Sequence, residues 1–177
     1  MTKLHNYNGR YCETEYENAF LSFLEEAGWN YLPGSSLPRT SMRDVLYIDD
    51  MEYFLNKTNP DLTADEIQQI MDTVRLAGAE SDFATLHKVY GWMVNGIQFT
   101  PQSGLPIMVN LIDFENPEKN VFRAVNQFIV EYTNNGQTEN RRPDILLFVN
   151  GIPLCIVELK TSLDKGTQRK TTENELP

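Results

Sequence analysis

The chain has 177 residues, 41 % of them hydrophobic, and a formal net charge of −10 at pH 7. That length suits one domain with its own core, and the apolar runs are strand-length, too short to span a membrane. The negative charge argues against a domain that grips nucleic acid tightly by itself, because phosphate contacts dominate such affinity; it leaves room for one delivered to nucleic acid by a larger machine.

The leader, Met1 to Asn6, carries no apolar segment followed by a small-residue cleavage site, so no secretory signal is read. Cys12 and Cys155 do not make a disulfide framework, and Cys155, inside an apolar run, is expected to be a buried, reduced thiol. Both readings favour a cytoplasmic protein.

Residues 15–27 read as an amphipathic helix. Tyr16, Phe20, Phe23, Leu24 and Ala27 recur at helical spacing, and Gly28 is the stop. A short strand is expected over Trp29 to Leu32, then a loop over Gly34 to Pro38. Residues 41–56 read as helix, with Val45, Leu46, Ile48, Met51 and Leu55 as core positions, broken at Asn59-Pro60. Thr63 and Glu66 fit a capping box that opens a helix running to about Leu76. A further helix over 83–94 places Leu86, Tyr90 and Met93 on one side and stops at Asn95-Gly96. Residues 40–95 thus read as a helical insertion. Strands are expected over 97–100, 107–114 and 121–132, the third long enough to bend. Asn134-Asn135-Gly136 is a turn.

Residues 142–160 then read as two apolar strands joined at Asn150-Gly151, a hairpin signal. Their open end carries Asp144 entering and Glu158 and Lys160 leaving. Residues two apart on a strand face the same way, so Glu158 and Lys160 project together. A strict two-residue loop would put Asp144 and Glu158 on opposite faces. One extra residue, as in a bulge, brings them to the same face, and Gly151 and Pro153 both suit an irregular start to the second strand.

Two carboxylates supply the hard anionic oxygens that a divalent cation needs, with the backbone carbonyl of Leu159 as a further ligand. Lys160 is placed to position or deprotonate an attacking water and to offset transition-state charge. The bland alternative is a salt-bridged strand end; the Pro143-Asp144 on the paired strand, with apolar filler between, weighs against it. Glu17, on the first helix, stands equally as a third acidic group aimed at the site and as the partner of Thr14 in a capping box. Glu13, one turn earlier, is a weaker candidate. Arg141 and Arg142 are candidate contacts to a DNA backbone, or a solvated turn. Lys165, Arg169 and Lys170 belong by default to a charged tail. His5 and His87 have no partners at zinc-ligand spacing, and no phosphate-binding P-loop motif occurs.

Pro-Asp followed by Glu-X-Lys resembles the PD-(D/E)XK nuclease superfamily. A closer resemblance runs through residues 109–120, Phe122-Arg-Ala-Val-Asn-Gln-Phe128, Arg142-Pro-Asp144, 148–154 and Val157-Glu-Leu-Lys160, with the early helix ending at Gly28-Trp29. Together these are similar to the N-terminal region of type I restriction enzyme R subunits. The resemblance implies an α/β fold in one endonuclease domain over 1–177, a mixed sheet flanked by helices with the helical insertion. It implies Mg²⁺-dependent hydrolysis of double-stranded DNA, with Asp144 and Glu158 as metal ligands, Lys160 as catalytic lysine and Glu17 as the acidic residue of the first helix. ATP enters through motor domains outside this sequence, and the partners implied are methyltransferase and specificity subunits. The family continues into a helix bearing Gln-X-X-X-Tyr; the polar tail 161–177 carries no such motif, in keeping with truncation from a longer chain. The alternatives are another nuclease of the superfamily, for repair or recombination, and a non-catalytic docking module.

Overall fold

A computed structural model describes residues 13–77 and 82–160. Among the described residues, four α-helices and eight strands follow in this order: α1 Glu13–Glu26, β1 Asn30–Pro33, α2 Ile48–Thr58, α3 Ala64–Leu76, α4 Asp82–Asn95, β2 Ile97–Phe99, β3 Ile107–Val109, β4 Phe122–Asn126, β5 Val130–Asn134, β6 Gln137–Arg141, β7 Ile145–Val149 and β8 Ile152–Val157. The central sheet has the order β1-β4-β7-β8. It is mixed: β1 runs parallel to β4, while β4–β7 and β7–β8 are antiparallel. Two small hairpins, β2–β3 and β5–β6, stand apart from it. The fold is therefore α/β with a mixed sheet.

α1 stops just before Gly28, whose φ of 91° suits glycine, and Trp29 N–H closes back on the Leu24 carbonyl. Its buried face is Glu17, Leu21 and Leu24, packed on Ala124 and Ile145. The expected stripe was rotated from this. Tyr16 and Phe23 are exposed, because the face that meets the sheet follows the 17-21-24 row instead.

The expected helix over 41–56 begins only at Ile48 and runs to Thr58. Residues before it hold a competing local structure. Asp44 accepts from the Thr40 hydroxyl at 2.6 Å and the Ser41 N–H at 3.1 Å, bonds that favour a turn over a helix. Val45 is consequently exposed, and Phe54, omitted from the expected core, is buried. The capping box of α3 forms as read: Thr63 Oγ1 accepts from Glu66 N–H, and Glu66 accepts from Thr63 N–H at 2.8 Å. α2 and α3 pack together around Phe54, Leu55, Ile67 and Ile70, with Val109, Leu111 and Ile152 completing the cluster.

α4 turns a different side inward than expected. Leu86 and Tyr90 are exposed, whereas Trp92 and Met93 lie against the α2–α3 cluster. A helix apolar on more than one side does not declare its buried face. The long run 121–132 is two strands, β4 and β5, broken at Gln127. Cys155 is exposed, not buried. It lies on β8, the sheet edge, where Leu154 and Ile156 are exposed as well.

The β7–β8 turn is clamped from outside. Asn150 and Gly151 both have positive φ, 50° and 76°, as a two-residue hairpin turn requires. The buried Asn150 side chain accepts from Val121 N–H at 2.7 Å and donates to the Leu111 carbonyl and Asn120 Oδ1 at 2.9 and 2.8 Å. A Cβ on Gly151 would sit 2.0 Å from the Tyr47 carbonyl oxygen. Behind it, Asp50 on α2 pairs with Arg123 on β4 in a two-pronged contact of 2.5 and 2.6 Å, and the guanidinium stacks over Tyr47. The hydrogen-bonded Asp50 carboxylate holds Arg123 above its ordinary pKa, outweighing the opposing effect of burial. These contacts fix the closed end of the hairpin, and hence where its open end points.

Candidate active site

The hairpin register decides whether the predicted acids can meet. Val149 pairs with Ile152 and Phe148 with Pro153, but Leu147 pairs with Cys155 and Ile145 with Val157. Leu154 is the extra residue of a bulge. Continuing the shifted register by one pair sets Asp144 opposite Glu158, so both belong to one face. Without the bulge, Asp144 would oppose Val157 and Glu158 would fall on the other side.

Ladder pairing ends at Val157, and the Asp144 side chain takes over. Its Oδ2 accepts the Leu159 N–H at 2.6 Å, which leaves Oδ1 without a hydrogen-bond partner among the described residues. Leu159 is half-buried against the cluster that seats α1. Glu158 and Lys160 on either side of it are exposed. The alternation expected for Glu158 and Lys160 is thus present in their burial.

Glu17 is buried, 8 % exposed, and sits on the face of α1 that meets the sheet. Thr14 already lies inside α1, so it is not the residue preceding the helix that a capping box requires. The Glu17 carboxylate instead accepts from Asn126 Nδ2 at 2.7 Å and from Gln127 Nε2 at 3.3 and 3.4 Å. Tyr31 donates its hydroxyl to Asn126 Oδ1 at 3.0 Å, which orients that amide with its nitrogen toward Glu17. Burial, reinforced by the charges of Glu17 and Glu25, pushes the Tyr31 phenol above its ordinary pKa, so it remains a donor at neutral pH. The Gln127 N–H, in turn, donates to the main-chain carbonyl of Asp144 at 3.0 Å.

The sequence marks Asn126 and Gln127 only as part of the segment 122–128 that carries the resemblance, with no role at the site. Their signal was the polar pair interrupting the long apolar run 121–132. Among the described residues, no three His, Cys, Asp or Glu side chains converge as a metal-binding group. The described partners of the Glu17 carboxylate are the Asn126 and Gln127 amides. Glu13 has no described side chain, and Lys165, Arg169 and Lys170 lie outside the described residues.

The two arginines part company. Arg142 borders a cleft of about 630 Å³ together with Asn126, Gln127, Ser35 and Arg39. Arg141 borders a separate, more apolar hollow with Tyr132, Leu154 and Cys155. Both side chains are exposed. Arg39 is committed elsewhere: it stacks on Phe128 and donates to the Ile129 carbonyl at 2.8 Å, and burial lowers its pKa. Among the described residues, no helix is long and apolar enough to cross a membrane.

An α/β domain with an acid-bearing hairpin and a lysine two residues past its second acid is the arrangement the sequence resemblance leads one to expect. Residues 10–176 match the family described as the type I restriction enzyme R protein N terminus, and the chain belongs to that family. It is 34 % identical, over 91 % of its length, to the putative type I restriction enzyme MjaIXP endonuclease subunit of Methanocaldococcus jannaschii. It is 32 % identical, over 85 % of its length, to the type I restriction enzyme HindI endonuclease subunit of Haemophilus influenzae. The matched region is 17 % of the first relative and 15 % of the second, so the chain corresponds to a small part of each.

Proposed function

We propose that the chain is the DNA-cleaving domain of a type I restriction enzyme R subunit, built on the PD-(D/E)XK plan as one domain over 1–177. The observation that supports this reading is the bulge at Leu154: its shifted register, continued one pair beyond Ile145 and Val157, sets Asp144 opposite Glu158. The relatives, named as endonuclease subunits of type I restriction enzymes, support the same reading.

The donor set suits Mg²⁺. That ion keeps several waters and is held through one or two carboxylates rather than by an all-protein cage. Asp144, through its unpartnered Oδ1, and Glu158 would hold it, with the Leu159 carbonyl as a third oxygen. Bound there, Mg²⁺ supplies Lewis-acid stabilisation for the scissile phosphate. Lys160 alternates with Leu159 as Glu158 does; as the ammonium it would orient the attacking water and offset charge developing on the phosphate, and as the neutral amine it would take the water's proton and become the ammonium. Arg142, at the lip of the cleft, contacts the DNA backbone, and Arg141 reaches it further out. Target recognition, methylation and ATP-driven translocation belong to other domains and subunits, and the assembly works on double-stranded DNA in the cytoplasm. The net charge of −10 fits a cutter that relies on those parts for its grip on DNA.

Plasmid cleavage by the R subunit assembled with its partner subunits, in Mg²⁺ and ATP, tests the reading. Glu158→Ala should remove cleavage and leave ATP hydrolysis intact. Undiminished cleavage would mean that the chemistry lies outside this hairpin.

A further inference from the structure

Gln127 stands out among the residues of positive φ. Among the described residues, the other two that are not glycine, Asn135 and Asn150, each precede a glycine in a hairpin turn, where a left-handed asparagine is ordinary. Gln127, with φ of 54°, follows the last residue of β4 and lies in no Asn-Gly turn. A long side chain in that region is a conformation the surroundings must impose.

The surroundings do impose it. Gly34 presses on the backbone from one side; a Cβ there would lie 2.6 Å from the Asn126 carbonyl oxygen and 2.9 Å from that of Gln127. From the other side, the Gln127 side chain reaches the buried Glu17 carboxylate on α1. In this conformation the Gln127 N–H points at the Asp144 carbonyl. One residue therefore touches both acids, Glu17 through its amide side chain and Asp144 through its backbone.

We propose that Gln127 is a positioning residue that ties the Glu17 carboxylate of α1 to the main chain of Asp144, and so sets where the Asp144 carboxylate stands. Glu17 in this arrangement is the anchor, gripping the β4 end through Asn126 and Gln127, and it acts on the site through Gln127 without being a metal ligand. The proposal rests on the metal-dependent reading above. Losing a partner that orients a ligand typically weakens a metal site about 10–100-fold.

Mn²⁺ uptake by the 177-residue chain, followed by electron paramagnetic resonance, tests it, with circular dichroism as the check on folding. Gln127→Met keeps the length of the side chain and deletes its amide donor; it should weaken Mn²⁺ uptake about tenfold. Gln127→Asn tolerates the left-handed backbone but is one methylene shorter. It should weaken uptake similarly, and it carries the test alone if the methionine variant does not fold. Glu17→Ala should weaken uptake to the same degree, and Glu17→Ala with Gln127→Met should be no worse than the weaker single variant. Glu17→Gln, which keeps an acceptor for the amides, should bind Mn²⁺ nearly as the parent does. A drop with Glu17→Gln as large as with Glu17→Ala would make Glu17 a ligand and overturn the proposal. Unchanged uptake in both folded Gln127 variants overturns the positioning role and leaves the nuclease reading standing. A parent chain that takes up no Mn²⁺ overturns both.

Discussion

The Leu159 N–H donates to Asp144 Oδ2 at 2.6 Å, so a carboxylate of one hairpin strand replaces the ladder bond that the other strand would otherwise lack. The same side chain is thus both a structural acceptor and a candidate metal ligand. Asn at this position can keep the first role, since its amide oxygen accepts the same N–H, but it surrenders the negative charge that holds a hard cation. Asp144→Asn should therefore melt within a few degrees of the parent and lose Mn²⁺ affinity by at least about 100-fold, the upper end of what losing an outer-sphere partner costs. Thermal melts and calorimetric titration measure the two effects separately. Retained Mn²⁺ affinity would remove Asp144 from the site.

Lys160→Ala in the assembled enzyme should lower the cleavage rate by about 10²–10⁴-fold, the usual contribution of one general acid–base group. Lys160 is exposed and has no ion pair among the described residues, so its removal breaks no described salt bridge. ATP hydrolysis should be unaffected. Cleavage at the parental rate by a folded variant would reduce Lys160 to a surface charge.

Asn150 links the hairpin turn to Val121, Leu111 and Asn120 with all three of its bonds inside the protein. Asn150→Ala strands the Val121 N–H and the Leu111 carbonyl. Each buried group left without a partner costs about 1–3 kcal/mol, and alanine tolerates the positive φ less well than asparagine. Urea denaturation should show a loss of at least about 2 kcal/mol on that basis. Gly151→Ala should be worse, because its Cβ meets the rigid Tyr47 backbone rather than a movable side chain. A stability change below about 0.5 kcal/mol in either variant, the range of surface substitutions, would contradict the clamp.

Much of this was legible in the chain. Asn150-Gly151 announced the hairpin and Thr63 and Glu66 the start of α3, and the spacing of Asp144, Glu158 and Lys160 suggested the chemistry proposed above. Parity counting even showed that a bulge was needed, and Pro153 hinted at its neighbourhood. What the sequence could not show is what depends on long-range contact. The inner face of α1 is chosen by Ala124 and Ile145, more than 90 residues away, and the periodic pattern alone fitted a neighbouring row. The partners of Glu17 are the last residue of β4 and the one after it, far along the chain, so its local Thr14 looked like a cap. Cys155 lies in an apolar run and so reads as core, yet among the described residues no strand pairs with the open side of β8. Gln127 was hidden because a left-handed glutamine has no sequence signature apart from the polar break it makes.

Glu66 offers a pH test of the cap that starts α3. Its carboxylate accepts from the Thr63 N–H, the Gln102 N–H and the Thr63 hydroxyl, at 2.8, 2.9 and 2.9 Å. The backbone N–H of Thr63 and then that of Gln102 are the main causes that hold its pKa below the ordinary glutamate value. A carboxyl whose pKa is lower in the folded chain than in the unfolded one stabilises the fold above the unfolded value. That contribution disappears as pH falls through the folded value. Glu66→Gln keeps an acceptor but cannot titrate. At pH 7 the variant should be less stable than the parent, and the gap between them should narrow progressively below about pH 4.3, the free glutamate range. Asp113 is shifted the same way, chiefly by the Asn116 N–H, so both proteins should still lose some stability in acid. The difference between the two urea midpoints is therefore the quantity to follow, since the Asp113 effect is common to both. A gap that stays constant from pH 7 to pH 3 would show that the Glu66 charge contributes nothing to the cap.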